Sequence, residues 1–253
     1  PGQTLPELYR LELEQLEEHV RQEGFIPPEL KVDLKPQLEE VPATMTAVRA
    51  SDAYMAIPGT PPRGGIFFIY PHDVSPQGQV GRNLEYRMTA AHETWPGHHL
   101  LDVCRWSLPQ SIRRSIEQPL YYEGWACLAE ELMYRIGYFE NTWDRYLLAR
   151  RRIRRAARGL ADIGLQTGRM NLSDAARLLE KTGFSKTLAT TMIPKYALRP
   201  GYQVCYAFGL RQGLKLLKTY GTHNPAAFAR TLLRQGQIGF ASLEEILSRR
   251  GVN

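Results

Sequence analysis

The chain has 253 residues, 43% of them hydrophobic and 23% charged, with a formal net charge of +6. That length allows one large domain or two small ones, and the balance is that of an ordinary globular protein rather than a disordered or fibrous one. No run approaches the ~20 consecutive apolar residues of a membrane span. The mild basic excess, with no aromatic platform or recognised motif beside it, gives no reason to expect nucleic acid or a membrane as partner.

In chain order, Leu5, Leu8, Leu11, Leu13, Leu16 and Val20 fall near helical spacing among many glutamates and predict a helix over 4–23. Gly24 and the Pro27-Pro28 pair end it. Prolines at 27, 28, 36, 42, 58, 61, 62, 71 and 76 then argue against helix up to residue 80. Two runs there, Ala53 to Ile57 and Ile66 to Tyr70, read as antiparallel strands joined across the Gly- and Pro-rich linker Pro58 to Gly65. From Leu84 the texture is helical, with helices expected near 82–95, 98–106, 109–117, 120–137, 140–167, 173–181, 185–196, 202–220, 224–234 and 242–249. Ser173 and Ser242 are the expected N-caps of two of them, each before an acidic first turn. The expected architecture is mainly α, a single domain over 1–253 in which a small antiparallel sheet lies beside the first long helix and 81–253 form a helical region. Cys104, Cys127 and Cys205 are odd in number, far apart and without a CxxC pair, so buried inert thiols are expected rather than a disulfide or a Cys-based zinc site.

Three of the six histidines fall between 92 and 99, in the segment Ala91-His92-Glu93-Thr94-Trp95-Pro96-Gly97-His98-His99-Leu100. A His-Glu pair with a second His close behind it is the logic of a metallopeptidase helix. Neutral imidazoles suit zinc, and the adjacent carboxylate polarises a bound water. In HExxH the two histidines are four apart and share a face; His92 and His98 are six apart, so a straight helix would point them apart by roughly 240°. Pro96, which lacks an N–H, and Gly97, which accepts unusual angles, provide a break that lets His98 turn back to the metal. His99 shares a face with His92 but lies ~10 Å along a regular helix, and is kept as a substrate-binding or supporting group. A third ligand is expected from the next carboxylate-rich helix, where Glu123 sits beside the small residues Gly124 and Ala126, read as allowing close packing on the histidine helix. Glu130, seven further on, and Asp102, four after His98, are candidates to orient a histidine ligand. The bland alternative is a structural histidine cluster at a helix kink.

The segment HETWPGHHL resembles the HExxPGHHLQ signature of the large bacterial family known as domain of unknown function 885. The resemblance continues at Tyr122-Glu123-Gly124-Trp125-Ala126, similar to that family's EGWA, and at Lys195-Tyr196 and Pro200 to Gly209, similar to its RY…PGQ…YxxG segment. Tyr202, Lys195 and Leu101 stand where the family has Gln, Arg and Gln. The resemblance implies a helical, gluzincin-like zinc metallopeptidase, akin to oligopeptidases, thermostable carboxypeptidases and dipeptidyl peptidase III. In that reading Zn2+ is held by His92, His98 and Glu123, Glu93 is the general base, and Tyr206, with Tyr202 as second choice, stabilises the oxyanion. It also implies that the chain matches the C-terminal half of longer proteins, so a missing N-terminal half or an oligomer partner is expected to complete the cleft.

The seven arginines between 145 and 158 are interleaved with Leu147, Leu148, Ile153 and Ala157 and read as the solvated basic face of an amphipathic helix, with one Arg holding a substrate carboxylate as a minor alternative. Trp95, Trp125, Tyr121 and Tyr122 either line a substrate pocket or pack in the core, and His72 is expected in a turn with Asp73. The expected function is therefore zinc-dependent hydrolysis of a peptide or small amide. The alternatives are a non-catalytic scaffold retaining the fold and a zinc hydrolase of non-peptide amides or esters. Pro1 in first position leaves a removed leader open, so cytoplasmic and periplasmic placement are both compatible.

Overall fold

Thr4 starts the first helix, α1 (Leu5–Gln22), through a capping box: its side chain accepts from the Glu7 N–H while the Glu7 carboxylate accepts from the Thr4 N–H at 2.7 Å. The computed structural model describes residues 4–29, 35–42, 44, 52–56, 64–70, 85–109 and 112–250. His72 with Asp73, and most of the linker Pro58 to Gly65, lie outside them. After α1 come strands β1 (Gln37–Glu40), β2 (Ala53–Ala56) and β3 (Gly65–Ile69). The helices that follow are α2 (Tyr86–Glu93), α3 (His98–Trp106), α4 (Pro119–Arg135), α5 (Thr142–Gln166), α6 (Leu172–Glu180), α7 (Lys186–Ala197), α8 (Tyr202–Tyr220), α9 (Pro225–Leu233) and α10 (Phe240–Arg250). Among the described residues no helix is long and apolar enough to cross a membrane.

The mainly helical class is as expected, but the sheet differs. Its strand order is β1-β3-β2: β2 pairs antiparallel with β3 as predicted, while β1 joins the other edge in parallel, Gln37 opposite Ile66 and Glu40 opposite Ile69. The sheet is therefore mixed. The alternation that marks a strand is absent from Gln-Leu-Glu-Glu, most of which faces solvent. The predicted helix over 109–117 is reduced to one 3-10 turn, Ile112–Arg114. Asn171, not Ser173, caps α6, accepting from the Asp174 N–H at 2.9 Å, and Ser242 lies inside α10. In α1, Leu11 is 45% exposed while Glu12 is buried, because Glu12 accepts from the Tyr138 hydroxyl at 2.7 Å and lies 3.4 Å from Arg87.

One apolar cluster joins α1, β3, α2, α3, α4, α8, α9 and α10, with Tyr9 edge-on to Phe67 at 5.0 Å between ring centroids. A second, built largely from alanines, seals α5 against α6 and α7. Trp95, Trp125 and Tyr121 belong to the first cluster and are fully buried, so they pack the core rather than line a pocket. Cys104 and Cys127 are buried free thiols, and Cys205 is half-buried.

Helix α5 departs in part from the expected solvated basic face: Leu147, Leu148 and Ala157 are buried and Arg145 and Arg152 exposed as expected, but most of the arginines are not solvated and Ile153 is exposed. Arg155 is buried, and Arg150, Arg151, Arg154, Arg155 and Arg158 turn inward onto Glu85, Glu130 and Gln203. Its outward side carries Tyr146, Ile153, Leu160 and Ile163, each between 44% and 59% exposed. The arginines are drawn in because buried carboxylates of neighbouring helices need them.

Candidate metal centre

The α2 helix ends at Glu93, residues 94–97 bend, and α3 begins at His98. The Trp95-Pro96 peptide bond is cis. Gly97 is required by close approach: a Cβ there would lie 1.8 Å from the His92 carbonyl oxygen. The carbonyls exposed by the break are satisfied by the Trp125 indole, whose N–H lies 3.0 Å from the Pro96 oxygen and 3.1 Å from that of Gly97. The result is that the rings of His92 and His98 meet edge-on, 4.9 Å between centroids.

Glu123, on the first turns of α4, faces both rings. Its Oε2 is 3.9 Å from His92 Nε2 and 3.5 Å from His98 Nε2, and one ligand atom from each of the three residues lies within 4.8 Å of the others. Ligand atoms around a zinc at about 2.1 Å would themselves be about 3.4 Å apart, close to the 3.5 and 3.9 Å that separate Glu123 from the two imidazoles. The donor set, two imidazoles and one carboxylate, suits zinc and leaves a fourth position open.

The tautomer of His92 follows from its other nitrogen. Nδ1 lies 2.9 Å from Glu130 Oε1 and 3.3 Å from Arg155 Nη2; the nearer carboxylate takes the proton's hydrogen bond, and the Nε2 lone pair is left facing Glu123. Glu130 is fully buried and receives two guanidinium forks, from Arg155 at 2.5 and 2.8 Å and from Arg151 at 3.1 Å twice. Burial opposes its charge, but Arg151 and Arg155 hold its pKa well below the usual range. Burial lowers His92 to about 4, keeping it neutral. His98 behaves oppositely: burial disfavours its charge, yet the hydrogen bond and charge of Glu123 raise its pKa, while Glu123 itself, despite burial, is held at about 2 by His98. A cation bound between these atoms would compete with a proton for them.

His98 is oriented by stacking. The Tyr122 ring lies parallel to it at 4.0 Å, tilted 22°. Its Nδ1 has no hydrogen-bond partner among the described residues. Asp102 does not supply one; it faces Arg105 at 2.9 Å and the Tyr122 hydroxyl at 3.4 Å. His99 is also placed away from the cluster, fully buried against Trp95, with Nδ1 3.4 Å from the Tyr54 hydroxyl. Glu93, next to His92, accepts from the Tyr54 N–H at 2.8 Å, on the outer edge of β2, and burial raises its pKa to about 7.

The α8 helix brings the tyrosines. Gly124 crosses it rather than the histidine helix: a Cβ on Gly124 would lie 2.7 Å from the Gly209 Cα, and one on Gly209 would lie 2.3 Å from the Leu120 oxygen. This contact sets Tyr202 against Glu123, with its hydroxyl donating to Oε1 at 2.6 Å. Tyr206, one turn on, packs beside Tyr202 at 5.9 Å between centroids and under Arg158 at 4.3 Å; its phenol pKa is raised well above normal, first by burial and then by the charge of Glu123. Buried Asp162 holds the start of α8, accepting from the N–H groups of Gly201 at 3.0 Å and Gln203 at 2.8 Å. Sequence reasoning missed Arg151, Arg155, Asp162 and the role of Tyr122. The available signal for the first two was their spacing of four on one helix, opposite the adjacent Glu130-Glu131 pair.

The model of one family, described as a bacterial protein of unknown function (DUF885), matches residues 2–247. The chain belongs to the DUF885 family. No curated protein matches it. Among solved structures it is similar to one from Colwellia psychrerythraea, described as a "putative lipoprotein", with TM-score 0.82 and 21% identity over 96% of this chain and 43% of that one. A second, so described and of unknown function, from Shewanella oneidensis, gives TM-score 0.76 and 18% identity over 96% of this chain and 45% of that one. These likenesses show the fold. This DUF885 chain spans less than half the length of either.

Proposed function

We propose that this chain carries the metal centre of a zinc-dependent peptidase. The observation that carries the reading is the convergence of His92, His98 and Glu123 within 4.8 Å, with Glu93 following the first ligand directly. A bound zinc would supply Lewis acidity, lowering the pKa of a water and polarising a carbonyl. The chain's own residues do the rest. Glu93 takes a proton from the attacking water and returns it to the leaving amine, a task suited by a pKa raised to about 7 by burial. The Tyr54 N–H fixes the Glu93 carboxylate at 2.8 Å. Tyr206 donates to the developing oxyanion, and Tyr202 holds Glu123 in its ligand orientation. Glu130, clamped by two guanidinium groups, keeps His92 in the tautomer that presents Nε2.

The test is Glu93→Gln. It retains one zinc per chain by elemental analysis and loses hydrolysis of a peptide mixture that the parent cleaves. A variant that still cleaves at the parental rate removes Glu93 as the base. His92→Ala and Glu123→Ala each lower zinc per chain, and unchanged stoichiometry in both refutes the ligand set.

A further inference from the structure

Two arginines lie over the tyrosines of the metal centre. The guanidinium carbon of Arg158 is 4.3 Å from the centre of the Tyr206 ring, and that of Arg199 is 4.3 Å from the centre of the Tyr202 ring. They arrive from different elements, Arg158 from α5 and Arg199 from the turn between α7 and α8. The two rings are 5.9 Å apart, so both cations sit on one aromatic pair. A guanidinium placed over a ring uses its face there and keeps the N–H groups of its edge, whose fork matches a carboxylate.

Neither cation is neutralised by the fold. Arg150, Arg151, Arg154 and Arg155 also turn inward from α5, and each reaches a glutamate. Arg158 forms no ion pair among the described residues; its Nε and Nη2 share the Gln203 amide oxygen at 2.9 and 2.5 Å, a neutral acceptor that leaves the charge uncompensated. Arg199 is exposed, and its side chain has neither hydrogen bond nor ion pair among the described residues. Asp162, beside the start of α8, does not serve them: it is buried, and its two oxygens accept from the Gly201 and Gln203 N–H groups. Glu123 is committed to His98 and Tyr202. The metal ligands are buried while Tyr202 and Tyr206 are half-buried, so a ligand approaching over the α8 tyrosines passes both guanidinium groups.

We infer, on the zinc-peptidase reading, that Arg199 and Arg158 bind a carboxylate of the substrate, which makes that substrate an anionic peptide. The anion is the free C-terminus or an Asp or Glu side chain; both present the same two-oxygen edge to a guanidinium. Tyr202 spans from Arg199 to Glu123, so the carboxylate falls within about three residues of the scissile bond at about 3.3–3.6 Å per residue.

The probes are three dansyl tripeptides: dansyl-Ala-Ala-Phe with a free C-terminus, its C-terminal amide, and the amide of dansyl-Ala-Glu-Phe. Each is titrated by fluorescence anisotropy with the 253-residue Glu93→Gln protein in the presence of zinc, so that the peptide stays intact. At least one anionic peptide is expected to bind about tenfold tighter than the neutral amide, as one hydrogen bond to a charged group provides. Tighter binding of the free acid assigns the site to a substrate C-terminus, and of the Glu peptide to an acidic side chain. Arg199→Gln brings the ratio near one; the position is exposed, so circular dichroism and Tm stay at parental values. Arg158→Gln lowers the ratio in the same direction. Arg145→Gln removes the same charge from an exposed position about 20 Å along α5 from Arg158 and keeps the full ratio. Equal binding of all three peptides, a ratio that Arg199→Gln leaves intact, or an equal loss in Arg145→Gln, which assigns the preference to net charge, overturns the inference. Zinc per chain and hydrolysis by the parent report separately on the peptidase. Equal binding in a protein that holds zinc and cleaves peptides overturns the carboxylate site alone; an Arg199-dependent preference without zinc or hydrolysis upholds that site and overturns the peptidase.

Discussion

Glu130 and His92 lie 2.9 Å apart in the fully buried middle of the helical region, and the carboxylate is at the same time held by Arg151 and Arg155. One imidazole nitrogen is thereby committed to the protein and the other is offered to the cluster. Glu130→Gln keeps the size but loses the charge, leaving the buried Arg155 guanidinium uncompensated while Arg151 keeps Glu85. The expected zinc affinity falls about 10- to 100-fold, and stability falls by about 3–5 kcal/mol. Competition with a chelator and chemical denaturation read the two effects. Parental zinc affinity in this variant would show that His92 does not need Glu130.

Gly97→Ala places a Cβ 1.8 Å from the His92 carbonyl, a backbone atom that cannot move without displacing the ligand. The expected cost is about 1–3 kcal/mol or more, in the range of overpacked cores, together with a loss of zinc per chain. A variant with parental Tm and full zinc would mean that the 94–97 bend is not what brings the histidines together.

Gly209→Ala acts from the opposite side. Its Cβ would lie 2.3 Å from the Leu120 oxygen and 2.7 Å from the Gly124 Cα, so α8 is pushed off α4 and Tyr202 away from Glu123. Stability falls by about 1–3 kcal/mol. Turnover falls more than zinc binding does, because this helix also carries Tyr206, the assigned oxyanion donor, whereas it touches the ligand set only through Tyr202 and Glu123. Equal losses in both would contradict the assignment of α8 to the tyrosine side of the site.

Glu85 gives a pH dependence away from the metal ligands. Burial pushes its pKa up, but Arg151, Arg150 and Arg154 outweigh that and leave it lowered. A lowered folded-state value means stabilisation present above the unfolded carboxylate pKa and lost as pH falls through the folded one. The thermal stability of the parent therefore falls on acidification below about pH 4.3. Glu85→Gln is destabilised by about 1–3 kcal/mol at pH 7 and shows a shallower acid slope. The same acid slope in both proteins removes Glu85 as a source of it.

Tyr202→Phe and Tyr206→Phe separate two roles. The first removes a 2.6 Å hydrogen bond to Glu123 and is expected to raise the zinc dissociation constant several-fold with modest loss of turnover. The second leaves zinc binding near parental and lowers kcat by about 10²–10³, as loss of an oxyanion donor does. The reverse pattern exchanges the assignments.

Much of this protein was readable from the chain because its signals are local. The helical periods from α1 to α10, the Pro96-Gly97 break and the His92-Glu93 pair each lie within a few residues, where backbone geometry and side-chain type act directly. The third ligand, by contrast, was expected only from the carboxylates and small neighbours of its helix, since nothing local in Tyr-Tyr-Glu-Gly-Trp says which helix Glu123 will face. Only the tertiary structure decided that Gly124 meets Gly209, that Glu130 rather than Asp102 holds a histidine, and that Arg151 and Arg155 point inward. Helical period fixes which residues share a face but not which face is buried. In α5 distant buried carboxylates drew arginines inward beside the buried Leu147, Leu148 and Ala157, while Ile153 and Leu160 were left exposed, and that balance is set by packing between helices far apart in sequence.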